Sequence, residues 1–164
     1  MLENEIYFYK VTGRLIIRNI ARLVNKNTEI ALFNQNLYAY KSLDTRFWGM
    51  RKDDYEHYLM ESHTRVNDKK GKYLEMCYKR DIERAGVTYR SFCRYPVIDG
   101  YSGTVGEKYR ETKWYTKTIY DLMCRINVFN SEEGFLIVYV LFRRVIGHEK
   151  IVDAYYSYLV NNLD

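Results

Sequence analysis

Tyrosine is the residue that most restricts how this chain can fold: 18 of its 164 residues are Tyr, against 7 Phe and 2 Trp. Each tyrosine buries a large ring while keeping a hydroxyl that needs water or a hydrogen-bond partner. A chain with so much of its aromatic surface in this form must set many rings at boundaries, at the rim of a core or in a wet interface. Such rings also stack on nucleobases. AT-rich codon usage, which raises Tyr, Asn, Lys and Ile together, is the compositional alternative.

The remaining composition is that of a folded domain, with 47% hydrophobic and 29% charged residues. One proline and nine glycines leave no room for long linkers. The length suits a single domain over 1–164, with 1–45 as an N-terminal arm or strand-containing segment and 53–164 as a helical body. A net charge of +5 and a pI near 9.0 suit an acidic partner such as nucleic acid or a membrane surface. Cys77, Cys93 and Cys124 are odd in number and form no C-x-x-C, which argues against a zinc knuckle or a thioredoxin-type pair. MLENEIYFYK lacks the basic start and apolar core of a signal peptide. The longest apolar run, FLIVYVLF at 135–142, is too short to span a bilayer. The expectation is an intracellular, reducing setting, with no membrane association, no cofactor and no metal.

Periodicity organises the chain. Tyr7, Tyr9 and Val11 alternate as in a strand, Thr12-Gly13 reads as a turn, and Leu15, Ile16, Ile20, Leu23 and Val24 follow helical spacing. Residues 29–43 fit a helix or a hairpin equally. Asp53 or Asp54 caps a predicted helix to about Val66, with Tyr55, Tyr58, Leu59 and Ser62 inward. Lys72 to Arg84 form the next, with Tyr73, Leu74, Cys77, Tyr78 and Ile82 on one side and Gly86 as its stop. Thr104 and Glu107 have capping-box spacing before a helix to about Ile126 that buries Tyr115, Ile119, Leu122, Met123 and Ile126. Ser131 caps a last helical region, split at Gly147. These elements predict a mainly α fold with a small β element near the N-terminus, α+β being the alternative.

Three segments carry candidate chemistry. In VLFRRVIGHEK, Arg143 and His148 have a spacing that resembles the HEPN ribonuclease family. The resemblance implies metal-independent RNA cleavage by a dimer, His148 moving the 2′-hydroxyl proton and Arg143 stabilising the phosphate. The other reading is an apolar segment whose cationic end suits a helix C-terminus. DIERAGVTYRSFCRY, residues 81–95, resembles the helix-turn-helix of tetracycline-repressor-type regulators. That implies a turn at Gly86, Val87 and Phe92 toward the core, and Thr88, Tyr89, Arg90 and Arg94 on DNA. The alternative is a helix, a glycine stop and a basic loop. Asp53, His57 and Glu61, at i, i+4 and i+8, match a metal or acid–base constellation, or a solvated polar face.

No segment has the density of an enzyme signature. Size and composition resemble accessory or assembly proteins of AT-rich phages. The functional expectation is a non-catalytic, basic interaction protein, a phage- or virus-like assembly subunit of ring or connector type. It contacts other subunits, as a homo-oligomer or with protein partners, and can touch the genome through its basic surface. A DNA-binding regulator using 81–95 and a HEPN-like ribonuclease are the alternatives.

Overall fold

A computed structural model describes residues 6–25, 28–34, 42–101, 106, 108–109 and 114–127. The fold is α+β, which corrects the mainly helical expectation. Its centre is a four-stranded mixed sheet in the order β1-β4-β3-β5, formed by β1 (Tyr7–Val11), β3 (Ala31–Leu32), β4 (Phe47–Arg51) and β5 (Tyr89–Arg90). β1 and β3 both run antiparallel to β4, while β5 runs parallel to β3. A ribbon of β2 (Ile16–Ile17) and β6 (Ile98–Asp99) lies apart from it.

The helical expectation failed at β4. The run FWGM has no polar/apolar alternation, so it carries no strand period, yet Phe47, Trp48 and Met50 are all buried. Successive residues of a strand face opposite sides. Trp48 and Met50 therefore join Ala31, Phe33, Leu43, Leu59, Tyr78 and Ile82 in one core, while Phe47 joins Ile17, Leu23, Leu32 and Phe92 in the other. Both faces are covered, the first by helices and the second by the β2/β6 ribbon and its loops.

The helices on the first face differ in quality. The segment after β4 begins as an α turn, α1 (Lys52–Asp54), continues as a π-helical stretch, Tyr55–Leu59, and tightens to 3₁₀ over Met60–Arg65. Leu59 and Ser62 point inward as expected, but Tyr58 is exposed. α2 (Leu74–Ala85) buries Cys77, Tyr78 and Ile82. Gly86, at φ +66°, ends α2: its amide donates to the Glu83 carbonyl and that of Val87 to Ile82. This is the left-handed glycine termination that the sequence signalled.

Leu15 to Val24 do not form the expected helix. Ile16 and Ile17 pair with Asp99 and Ile98, and a 3₁₀ turn at Ile20–Arg22 comes next. α3 (Trp114–Arg125) buries Tyr120, Met123 and Cys124 but leaves Leu122 and Ile126 exposed. It docks on the 91–97 loop: Tyr120 stacks on Tyr95 at 4.4 Å, and Asp121 accepts from the Tyr95 amide at 2.9 Å. The Thr104–Glu107 capping box, Ser131 and Gly147 lie outside the described residues.

One contact fixes how β1 lies on β4. Tyr9 stands opposite Gly49 and its ring crosses the glycine. A Cβ at Gly49 would meet Tyr9 Cδ1 at 2.7 Å and the Tyr7 ring at 3.0 Å. The Tyr9 ring is not free to yield, because its hydroxyl donates to the Asn25 carbonyl, accepts from the Asn25 amide, and its face lies over Phe47. Gly49→Ala should therefore destabilise the fold by about 1–3 kcal/mol through overpacking. Urea denaturation of the two proteins measures it; equal midpoints and slopes would mean that the rings shift freely.

Candidate functional site

Among the described residues, those singled out in the sequence do not converge on one site. Asp53, His57 and Glu61 are all exposed. Their spacing assumed an α-helix, but the backbone bonds i→i+5 across Tyr55–Met60 and i→i+3 afterwards, so the three do not follow the α-helical register assumed for them. Among the described residues no group of three His, Cys, Asp or Glu side chains could hold a metal ion. Arg143 and His148 lie outside the described residues. Arg51 and His57 form a similar Arg/His pair with one more residue between them, but Arg51 belongs to β4 and His57 to the helical segment.

Residues 81–95 do not form a helix-turn-helix. Asp81 to Ala85 are the last turns of α2 and Gly86 makes a turn, but Tyr89 and Arg90 form β5. The four proposed DNA contacts separate accordingly. Thr88 and Arg90 are exposed. Tyr89 packs against the first core and its hydroxyl accepts from Lys79, whose ammonium also lies 5.0 Å from the ring centre. Burial opposes the charge on Lys79, yet the bonds to Glu83 and Tyr89 outweigh it and hold its pKa above the ordinary lysine value. Arg94 reaches Asp121 on α3 at 3.7 Å.

Buried polar groups act as struts rather than reagents. Asp81 accepts from Ser62 Oγ at 2.5 Å and from Arg65, tying α2 to the 3₁₀ segment. Ser62 is fully buried with its hydroxyl held on Asp81. Asp44 takes Arg46 in a two-pronged pair at 2.8 and 2.6 Å, and the guanidinium lies 5.1 Å from the Tyr109 ring centre. Burial of Arg46 opposes its charge, but Asp44 overcomes this and the guanidinium stays protonated.

The sequence reading missed the open edge of β1. The Lys52 amide donates to the Ile6 carbonyl at 2.8 Å and the Thr12 amide to the Arg46 carbonyl at 2.9 Å. With the register Tyr7↔Arg51 to Val11↔Phe47, the even-numbered residues of β1 form the bonded pairs with β4. The N–H and C=O groups of Tyr7, Tyr9 and Val11 therefore point away from the sheet. Among the described residues no strand meets them, since β1 is the terminal strand. Their side chains lie back over the second face, with the Tyr7 hydroxyl donating to the Ile30 carbonyl at 3.0 Å. Burial first, then neighbouring Tyr9, raises the Tyr7 pKa above the tyrosine range, with Arg90 opposing them. Lys10, the one charge on β1, leans over the opposite face with its ammonium 5.6 Å from the Trp48 ring centre.

No protein-family model, curated protein or solved structure matches the chain. No helix among the described residues is long and apolar enough to cross a membrane.

The three thiols are free and differ in access. Cys93 is exposed, with Sγ 3.6 Å from the Arg22 carbonyl, whereas Cys77 and Cys124 are buried. Burial, with Asp121 and Cys93 adding to it, pushes the Cys124 thiol above its ordinary pKa. A thiol reagent at neutral pH should modify Cys93 rapidly and the other two only on unfolding. Peptide mass spectrometry of the labelled protein reads this directly, and fast labelling of Cys124 would contradict the packing of α3.

Proposed function

We propose that the protein is a non-catalytic assembly subunit, of ring or connector type, that associates with further copies of itself. The observation that carries this reading is the edge of β1, which no strand meets among the described residues. A row of outward main-chain donors and acceptors is a template for another strand, and folded proteins ordinarily blunt it with proline, a bulge or a charged side chain, lysine especially. β1 has no proline and an unbroken register, so Lys10, with its ammonium 5.6 Å from the Trp48 ring centre, is its one blunting feature. Exposed Ile6, Ile16, Leu122 and Ile126 add apolar surface of the kind that subunit contacts use. Sedimentation of the purified protein from micromolar to submillimolar concentration tests the reading. Reversible, concentration-dependent association is expected, and a monomer throughout would overturn it.

A second reading, contact with nucleic acid, is favoured by exposed Arg90 and Thr88 beside the basic, aromatic sequence YRSFCRY. Contact through the backbone phosphates is sequence-independent and depends steeply on salt. By this reading Arg90→Ala weakens binding to a labelled duplex equally across sequences and lowers the salt slope by about one. Fluorescence anisotropy over a salt series measures it. An unchanged slope would remove Arg90 from the interface.

A further inference from the structure

We infer that β1 is the self-association element itself: two copies pair their β1 strands antiparallel about a two-fold axis at Tyr9, joining two four-stranded sheets into one. This rests on the assembly reading and specifies its interface.

The register is set by which groups are free. Only Tyr7, Tyr9 and Val11 present outward main-chain groups, so bonded pairs across the axis must join odd-numbered residues. Centring on Tyr9 sets Tyr9 opposite Tyr9 and Tyr7 opposite Val11, which uses all three residues of each copy. Each of these pairs exchanges two hydrogen bonds, on the order of six in total. Shifting so that Tyr9 faces Val11 leaves Tyr7 outside the bonded set and brings Lys10 directly opposite Lys10, where like charges repel. Shifting the other way, Tyr7 against Tyr9, leaves Val11 outside it. With the axis at Tyr9, Lys10 instead faces Phe8 of the second copy, an aromatic ring that tolerates a cation. Charge and hydrogen-bond count select the same register.

The side chains suit this pairing. Tyr7, Tyr9 and Val11 lie on one face of β1, where Tyr9 and Val11 pack against the second core, and Phe8 packs against the first. A two-fold pairing makes each core continuous with its counterpart across the axis. The same patch meets itself, so association along this edge closes at two copies, and a ring of these dimers needs a second, heterologous surface.

Val11→Pro tests the inference with little risk to the monomer. The Val11 N–H points away from β4, so proline removes no bond of the sheet, and an edge strand accepts it there. It removes one donor from each copy. The expected result is a folded protein, by circular dichroism, whose self-association is weakened about tenfold or more. Hydrogen exchange of the wild type supplies the measurement that does not depend on the variant. The Tyr7, Tyr9 and Val11 amides should be protected in the associated state and exchange as open amides after dilution. If the wild type associates while those amides exchange equally fast in both states, β1 is not the interface and the assembly reading survives through another surface. A folded Val11→Pro protein that associates as tightly as wild type overturns the inference in the same way. If the wild type does not associate at any concentration, both fall together.

Discussion

The Tyr9 ring laid across Gly49 is the contact on which the rest of the sheet depends. An antiparallel pair without bonded main-chain groups brings its Cα atoms close together, and glycine leaves room there for an aromatic ring. The ring then reaches Asn25 with its hydroxyl, so a single side chain ties β1, β4 and the chain leading to β3. The same stacking runs on through Phe47 to Phe92, 4.7 Å apart, and so to the loop that receives α3. β4 itself offers Trp48 to one core and Phe47 to the other, which is why a five-residue strand can organise two layers.

Around that centre the tyrosines behave as their chemistry requires. Tyr7 and Tyr9 lie with rings on the sheet and hydroxyls on carbonyls, and Tyr89 accepts from a half-buried lysine. Each sits at the rim of a core, where the ring is dry and the hydroxyl is satisfied. Carboxylates hold the outer elements: Asp81 joins α2 to the 3₁₀ segment, and Asp121 joins α3 to the loop after β5. Arg46, Arg65 and Arg94 each face a carboxylate, and since every such tie takes one acid with one base, the net charge of +5 is carried by residues outside them.

Signals in the sequence are legible where the physics is local. The alternation of Tyr7, Tyr9 and Val11 is β1, and the apolar spacing from Leu74 to Ile82 with its terminal glycine is α2. Ala-Gly-Val at 85–87 marks a helix end but not its sequel, because the same left-handed glycine precedes a second helix or a strand equally well. Arg90 can be assigned to a strand only once β3 is there to pair with it. The helical spacing at 52–65 holds for Leu59 and Ser62, which point inward, but its π and 3₁₀ turns break the α-helical register and Tyr58 is exposed.

The sequence by itself determined a tyrosine-rich, mildly basic chain with one well-marked helix, one marked strand and a glycine termination at the end of α2. These depend on neighbours within a few residues, so a linear reading reaches them. Only the tertiary structure decided that Phe47 to Met50 form the inner strand, that residues 89–90 join the sheet, and that β1 lies at its edge. Whether a strand is central or terminal is a property of its partners, and the outward N–H and C=O groups of β1 are the same whatever side chains the strand carries. Main-chain chemistry leaves no mark in the sequence until the fold shows which side of the strand is bare.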